Sequence, residues 1–447
     1  MKQISIKILL LTSAALVIIG CNVGNSQNHN DDLVSYLTSK ATGLSTSSDL
    51  DELIDNAGDK QLALLGEASH GTHEYYAWRD SISRRLITEK GFSFIAVEGD
   101  WASLYELNRY VKDMEGAAGS AREVLKNLQR WPLWMWGNEE VEGLIEWMRE
   151  YNKDRSFEDK VGFYGMDVYD EWNSQTALYA FLEKHDSEIL EQLRSYYDCF
   201  APYGDDSWEY ARAVRMGRDD CTDETAAAVD LILNSRNELN VSDHEFLYAK
   251  QNAYVLKYAE KFYRQSVQSQ GPESWNSRVE HMFLTVSRLL DYYGDDAKGI
   301  VWAHNTHVGD ARATDMARRG QVNIGQLSRE SLGEEEVFIT GFGTFRGTVK
   351  AGRQWGQSMQ RLNVPDAHPD SYEFLLNQVT YENFMLIIDE QDRQHEEFNR
   401  IRGHRAIGVV YNPEREVPGN YVITVLPERY DAFIFFEETR ALSPLRR

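Results

Sequence analysis

Acidic and imidazole side chains crowd together in one short stretch near the start of the chain. The sequence LALLGEASHGTHE, residues 62–74, leaves an apolar run and then presents Glu67, His70, His73 and Glu74. Burying such groups is costly unless they are paired, and a solvated turn more often carries Asn, Asp, Ser and Gly. An imidazole beside a carboxylate is suited to general-base chemistry or to binding a divalent metal ion.

The same arrangement recurs after three further apolar runs of strand length. Glu98 and Asp100 follow FIAV, Asp167 follows GFYGM, and His304 and His307 follow IVWA. Polar groups that follow neighbouring strands converge at the carboxyl edge of an α/β sheet, where ligands bind. We therefore predict that the four clusters form one active site.

Strand-like and helical patterns predict the elements that must position these residues. Short apolar runs bounded by glycine alternate with helical patterns, which indicates an α/β fold with a central mixed, largely parallel sheet flanked by helices. From about residue 174 to about residue 295 long helical patterns predict a large helical insertion. The tail from residue 384 regains β character, including RAIGVVYN. We assign residues 46–447 to a single catalytic domain.

Two features beside the clusters bear on the site. Arg79 lies four residues from Tyr75 and three from Ile82, so it falls near the apolar face of the predicted helix. An arginine that points inward needs a carboxylate or a substrate oxyanion. The aromatic run WPLWMW, which ends at Trp136, is suited either to core packing or to an apolar wall for a bulky substrate.

Composition and motif spacing exclude several functions. A net charge of −24 argues against binding to nucleic acid or to anionic lipid headgroups through the overall field. The chain has neither a P-loop nor a dinucleotide fingerprint, so neither nucleotide cofactor is implied. GEASHG is not a G-x-S-x-G nucleophile elbow, because two residues separate Gly66 from Ser69 where the elbow has one.

The N-terminal residues predict export. MKQISIKILLLTSAALVIIGC joins two lysines to an apolar run too short to span a bilayer, which predicts a signal peptide over residues 1–20. VIIGC resembles the lipobox of bacterial lipoproteins, with Cys21 as the lipidated mature N-terminus; the alternative is an ordinary cleaved signal. Residues 21–45 are interpreted as a tether and an N-terminal helix. The expected location is the outer membrane or the periplasmic face of a membrane, with contact through the lipid only.

The two remaining cysteines, Cys199 and Cys221, are expected to pair, because an oxidising compartment favours disulfides. Their pairing would close a loop between helical segments of the predicted insertion.

A set of motifs in fixed order resembles the erythromycin esterase family. The matching stretches, between about residue 60 and about residue 440, are LLGEASHGTHE, FIAVEGDW, WPLWMW, GFYGMDVY, AHNTHVGD and DAFIFFEET. The resemblance implies an α/β core with a helical insertion and a carboxylic ester hydrolase that opens an ester or lactone with an activated water. It also implies no metal or other cofactor, a small-molecule substrate such as the macrolide ring of erythromycin-type antibiotics, and a role in macrolide resistance.

The resemblance also implies roles for individual residues. His70 would be the general base and Glu67 its acidic partner, with Arg79, Glu98, His304 and His307 completing the catalytic set. Either Arg79 or the two later histidines would stabilise the tetrahedral oxyanion, while Glu98 would position the water or pair with Arg79. The expected substrate-binding residues are His73, Glu74, Asp100, Trp101, Trp136 and Asp167.

Two other functions stay open on the sequence alone. One is a metal-dependent hydrolase that uses the same histidines and carboxylates as zinc ligands. The other is a non-catalytic lipoprotein that binds a metal ion or haem in a histidine-lined cleft.

Overall fold

The computed structural model describes residues 20–446, except for the side chains of residues 20–29 and of Pro418. Residues 1–19 of the predicted signal peptide, and the side chain of the predicted lipidation site Cys21, therefore lie outside the described part of the chain. Within that part, no helix combines the length and the apolar character needed to cross a membrane.

Across residues 20–446 the chain forms a nine-stranded sheet and a separate two-stranded antiparallel sheet made of β9 and β10. The strands are β1 Thr42–Gly43, β2 Leu62–Leu65, β3 Phe94–Asp100, β4 Gly162–Asp167, β5 Gly299–Trp302, β6 Val337–Ala351, β7 Gln360–Val364, β8 Asn383–Ile387, β9 Arg402–Arg405, β10 Tyr421–Thr424 and β11 Ala432–Thr439.

The order of the strands places the predicted clusters side by side. Strands β11, β6, β2, β5, β3 and β4 are parallel neighbours in that order, whereas β8, β1 and β7 pair antiparallel. The residues of β2, β3, β4 and β5 are all buried, which explains their continuous apolar sequences. The predicted fold class, a mixed and largely parallel sheet flanked by helices, is confirmed.

Helices cover both faces of this sheet. They are α1 Gly20–Lys40, α2 Asp51–Gly58, α3 His73–Lys90, α4 Trp101–Val111, α5 Ala121–Asn127, α6 Glu139–Asn152, α7 Glu171–His185, α8 Ser187–Tyr197, α9 Ser207–Arg215, α10 Thr222–Asn234, α11 Asp243–Gln268, α12 Glu273–Tyr293, α13 Asn305–Val308, α14 Asp315–Arg318, α15 Ile324–Leu332, α16 Tyr372–Leu376, α17 Glu390–Gln394, α18 Glu416–Gly419 and α19 Leu426–Arg429.

The region between β4 and β5 contains helices α7 to α12. Helices α7 to α11 enclose an apolar core of their own, which includes Leu178, Leu193 and Ile232. A disulfide joins Cys199 to Cys221, as predicted, with the two Cα atoms 6.0 Å apart. The insertion packs on the sheet through α12, which contacts β4, β5 and β3.

One predicted strand is absent from the described structure. Arg405 ends strand β9, and the rest of RAIGVVYN, residues 406–412, forms only isolated bridges, from Ile407 to Ser69 and from Val410 to Gly352. The backbone N–H groups of this stretch bond to three separate segments, at Asn420, Ala68 and Gly352, so no continuous ladder can form.

Candidate active site

The loop after β2 and helix α3 bring a buried acid, an imidazole and an arginine into one chain of hydrogen bonds. Oε1 of Glu67 lies 2.8 Å from Nδ1 of His70, and Arg79 donates from Nη2 to the other carboxylate oxygen at 2.6 Å. Glu67 and Arg79 are both fully buried. The guanidinium of Arg79 lies over the rings of Tyr76 and Trp302, at 4.5 and 4.6 Å from their centroids. Glu67 thus has a fixed partner on each oxygen.

The environment of His70 makes its imidazole a stronger base. Burial favours the neutral ring, but the hydrogen bond to Glu67 and the negative charges of Glu98 and Glu67 outweigh it and raise the pKa of His70. Among the described side chains none bonds to Nε2 of His70. The ring faces that of His304, with the two centroids 5.0 Å apart.

His304 has the opposite character. Its Nδ1 accepts a hydrogen bond from the backbone N–H of Thr306, at 3.2 Å, so the proton of the neutral ring sits on Nε2. Burial and the neighbouring His70 hold the pKa of His304 well below its ordinary value. Its Nε2 is buried and forms no hydrogen bond of good geometry with a described residue, although a backbone contact with Ala68 opposes the lowering of its pKa. His304 is therefore a neutral N–H donor beside His70.

A second network surrounds Glu98 at the end of β3. Arg278, from helix α12, donates to Oε1 of Glu98 at 3.0 Å and to both carboxylate oxygens of Asp167 at 2.8 and 2.6 Å. Oε1 of Glu98 is also 3.3 Å from Nε2 of His307, while Oε2 accepts the backbone N–H of His304 at 2.9 Å.

These contacts keep both acids of this network ionised. Burial would raise the pKa of Glu98, but His307, His70 and Arg278 bring it well below its ordinary value. Arg278 lowers the pKa of Asp167 against the effect of burial. The structure thus brings together six predicted catalytic residues around two buried acid–arginine pairs; they are Glu67, His70, Arg79, Glu98, His304 and His307.

Of the two roles predicted for Glu98, positioning the water or pairing with Arg79, the structure does not show the pairing. The cation beside Glu98 is Arg278, whereas Arg79 forms its ion pair with Glu67. Full burial also keeps Arg79 from reaching a substrate oxyanion in this structure.

A comparison with known protein families decides the relationship. The family model described as erythromycin esterase matches residues 87–439, most of the chain. This chain belongs to the erythromycin esterase family. The matched region contains Glu98, Arg278, His304 and His307, whereas the loop after β2 precedes it.

A curated relative of this erythromycin esterase family member matches it over a short stretch. Erythromycin esterase type II of Escherichia coli is 30% identical over 111 residues, which is 25% of this chain and 24% of that protein. The matched segment therefore spans about a quarter of the curated relative.

Three solved structures share the fold. A succinoglycan biosynthesis protein (TM-score 0.76, 22% identity) and a Bacillus cereus protein (TM-score 0.78, 19% identity) each match 93% of this chain and 99% of their own. A mutant of the erythromycin esterase EreC in its open conformation has a TM-score of 0.62 at 16% identity, over 90% of this chain and 97% of its own.

Two predicted substrate-binding residues of this family member lie elsewhere. Nδ1 of His73 is 2.7 Å from Oε1 of Glu140 on α6, and Glu74 accepts the backbone N–H of Arg440 at 2.9 Å. Both residues stand in the first turn of α3, where they hold the segment after β11 against α6. The structure does not bring them to His70 and His304.

The other predicted substrate-binding residues divide between core and site. Trp101 is fully buried and stacks on Tyr164 with the ring centroids 5.5 Å apart, so it offers no surface to a substrate. Asp100 forms two hydrogen bonds of 2.6 Å with Arg130. Trp136 lines a narrow cavity of about 30 Å³ together with Glu98 and Asp100.

Sequence reasoning missed three members of the site. Arg278 lies between the buried residues Ser277 and Val279, and an arginine within a half-apolar helix was the signal that could have marked it. Trp275, one helical turn earlier, stacks on His307 at 4.6 Å between centroids. Arg130, which directly precedes WPLWMW, carried no distinguishing pattern.

The carboxylates of this cluster are bound to guanidinium groups. Glu67 binds Arg79, Glu98 and Asp167 share Arg278, and no described group of three or more His, Cys, Asp or Glu side chains is arranged to hold a metal ion. The arrangement offers a base that Glu67 holds in place and a neutral N–H donor whose backbone is bound by ionised Glu98.

Proposed function

We propose that this chain hydrolyses a carboxylic ester or lactone with a water molecule activated by His70, without a metal ion. The observation that carries the proposal is the arrangement of the two imidazoles. Nδ1 of His70 is held by Glu67, and its ring, whose Nε2 has no partner among the described side chains, faces His304 with its buried Nε2–H. A base and an oxyanion donor at this spacing suit attack of water on a carbonyl.

In the proposed reaction, neutral His70 takes a proton from water as the water oxygen bonds to the ester carbonyl carbon. The Nε2–H of His304 donates to the oxygen that becomes negative in the tetrahedral intermediate. His70 then returns the proton to the leaving alkoxide as the carbon–oxygen bond breaks, which yields a carboxylic acid and an alcohol. Glu67 and Arg79 hold the base, and ionised Glu98 fixes the backbone of His304.

The substrate we propose is the macrolide ring of an erythromycin-type antibiotic, with macrolide resistance as the resulting role. Support comes from family membership and from the name of the Escherichia coli relative, erythromycin esterase type II.

Removing the base tests this mechanism. His70→Ala should lower kcat by about 10²–10⁴-fold on whichever macrolide or simple ester proves active, since that is the usual contribution of general-base catalysis. His73→Ala is the matched control, because His73 belongs to the same motif but bonds to Glu140. Product formed in oxygen-18 water should carry one label in the new carboxylate, without a burst.

Two results would contradict the mechanism. Full activity of His70→Ala would remove the assigned base. Loss of turnover with a chelator, restored by zinc, would show that the histidines act as metal ligands.

We also propose that the protein is an exported lipoprotein anchored at Cys21, in the outer membrane or facing the periplasm. Cys21→Ser should shift the protein from the membrane fraction to the soluble fraction, because the lipid is the expected attachment. Fractionation and intact mass of the wild-type protein measure this. An unchanged distribution, with no lipid mass on the wild type, would contradict it.

A further inference from the structure

A wide groove lies at the same edge of the sheet as the acid–base cluster. Its volume is about 1020 Å³, and its walls include the carboxyl end of β6 at Lys350 and the segment that follows β11, from Arg440. Strands β6 and β11 run parallel to β2, so their carboxyl ends share an edge with the strand that leads to His70. Ligands of α/β sheets bind at this edge.

The groove is positively charged although the chain carries a net charge of −24. Among the described residues that line it, five are cationic and one, Glu139, is acidic. The cations are Lys126, Lys350, Arg361, Arg440 and Arg446. Of these five, Arg440 is the one that forms an ion pair with a described side chain, Glu74.

Two of these cations are held side by side. Lys350 on β6 and Arg361 on β7 are direct partners in the antiparallel register, so their side chains leave the same face of the ladder. Like charges opposite one another destabilise a sheet. A negative ligand between them would remove that cost.

The groove also has an apolar wall next to the reaction centre. Trp131, Leu133 and Trp134 line it, and Leu133 also lines the narrow cavity that contains Glu98. Trp355, whose surface is 68% exposed, packs against Trp131 with 4.7 Å between ring centroids. The backbone N–H of Lys350 donates to the carbonyl of Gly71, the residue after His70, at 2.9 Å.

We propose that this groove binds the substrate and selects small esters that carry a negative charge as well as an apolar body. The cations would receive the anionic group, the tryptophans would receive the apolar part, and the ester would extend past Leu133 toward the two imidazoles. For its catalytic half this inference rests on the proposed ester hydrolysis, and it names a substrate class other than the proposed macrolide, because an erythromycin-type macrolide is large and carries a basic amine. The binding half can be tested alone.

Two matched dyes test the binding half on the full-length protein. The anionic probe 8-anilinonaphthalene-1-sulfonate and the neutral probe N-phenyl-1-naphthylamine differ in the sulfonate, and neither is an ester. The double variant Lys126→Glu, Arg361→Glu should weaken binding of the anionic dye about tenfold relative to binding of the neutral dye. The effect should be smaller at high salt, because salt screens charge interactions. The double variant Lys153→Glu, Arg155→Glu makes the same change in net charge outside the groove. It should keep the wild-type ratio of the two dissociation constants.

A matched pair of esters tests the catalytic half. Mono-4-nitrophenyl suberate has a terminal carboxylate that 4-nitrophenyl octanoate lacks. The wild type should have a higher kcat/KM for the anionic ester than for the neutral ester. In the Lys126→Glu, Arg361→Glu variant the ratio of the two kcat/KM values should fall about tenfold. In the Lys153→Glu, Arg155→Glu control this ratio should not change.

The outcomes separate this inference from the proposed function. An unchanged dye ratio in the groove variant would overturn the anion site, even if both esters are cleaved. Equal kcat/KM for the two esters in the wild type would overturn the selection of anionic substrates. A shifted dye ratio in a protein that cleaves no ester would support the anion site and contradict the hydrolase function.

Discussion

At the scale of single residues, the site depends on how buried charges are paired. Glu67 would be costly to bury alone, but it has Arg79 on one oxygen and His70 on the other. The pair also fixes which nitrogen of His70 faces the reaction, because Nδ1 is committed to the carboxylate. Arg79 thus acts through Glu67 and is a positioning residue.

The role of Glu67 predicts a shift in the pH dependence of activity. Glu67 raises the pKa of His70, so this pKa should fall in Glu67→Gln. The rising limb of kcat/KM against pH should then move to lower pH, and kcat should decrease. In the wild type the limb should lie above the ordinary histidine pKa of 6.5. Profiles of kcat/KM against pH measure both. Glu140→Gln, which removes the partner of His73, should leave the limb in place, and an unmoved limb in Glu67→Gln would contradict the assignment.

At the scale of elements, helix α12 makes the insertion part of the site. Trp275 and Arg278 lie on consecutive turns of α12, so the first stacks on His307 while the second reaches Glu98 and Asp167. The sheet supplies the acids at the ends of β3 and β4, and the insertion supplies their shared cation. Without α12 the acids at the ends of β3 and β4 would be buried without a cation, which is costly.

This shared cation predicts a coupled effect on stability. Arg278→Met should lower the free energy of unfolding by about 3–5 kcal/mol, because two buried carboxylates lose their guanidinium partner. Asp167→Asn in the Arg278→Met background should restore part of that loss, since it removes one unpaired charge. Urea unfolding of the four proteins in a double-mutant cycle measures the coupling. Strictly additive effects would contradict a direct interaction between Arg278 and Asp167.

At the scale of the whole molecule, buried histidines make stability depend on pH. Burial lowers the pKa of His244 and of His281 to about 3, and it lowers the pKa of His304 and of His404 as well. Each stays neutral in the folded protein but takes up a proton when unfolded below about pH 6.5. Below that pH the unfolded chain binds protons that the folded protein does not, so these histidines lower the free energy of unfolding as the pH falls. Above that pH they have no such effect. The raised pKa of His70 acts in the opposite direction.

Replacing one of these histidines should reduce the sensitivity to acid. His281 is fully buried, and neither ring nitrogen forms a hydrogen bond of good geometry in the described structure, although a backbone contact with Asp167 acts weakly against the lowering of its pKa. His281→Gln should therefore reduce the slope of unfolding free energy against pH by about 1.4 kcal/mol per pH unit, the value for one proton, between pH 6 and pH 5. Urea unfolding at several pH values measures the slope. His185→Gln, on the insertion surface, is the control, and equal slopes for His281→Gln and wild type would contradict the prediction.

The sequence by itself determined the fold class and much of the site. Strands that are buried on both faces must be continuously apolar, so their ends are visible as the points where polar residues begin. Glu67, His70, Glu98, Asp167, His304 and His307 were all found in this way, because parallel strands bring their carboxyl ends to one edge. The inward position of Arg79 followed from helical spacing alone.

Tertiary structure alone decided which partner each group takes. His70 and His73 are three residues apart in one motif, yet one faces His304 and the other bonds to Glu140, because His70 lies in the loop and α3 begins at His73. Arg278 reaches Glu98 from 180 positions away, through the docking of α12 on the sheet. Spacing along the chain specifies which face of an element a residue occupies, but only the packing of elements specifies what that face meets.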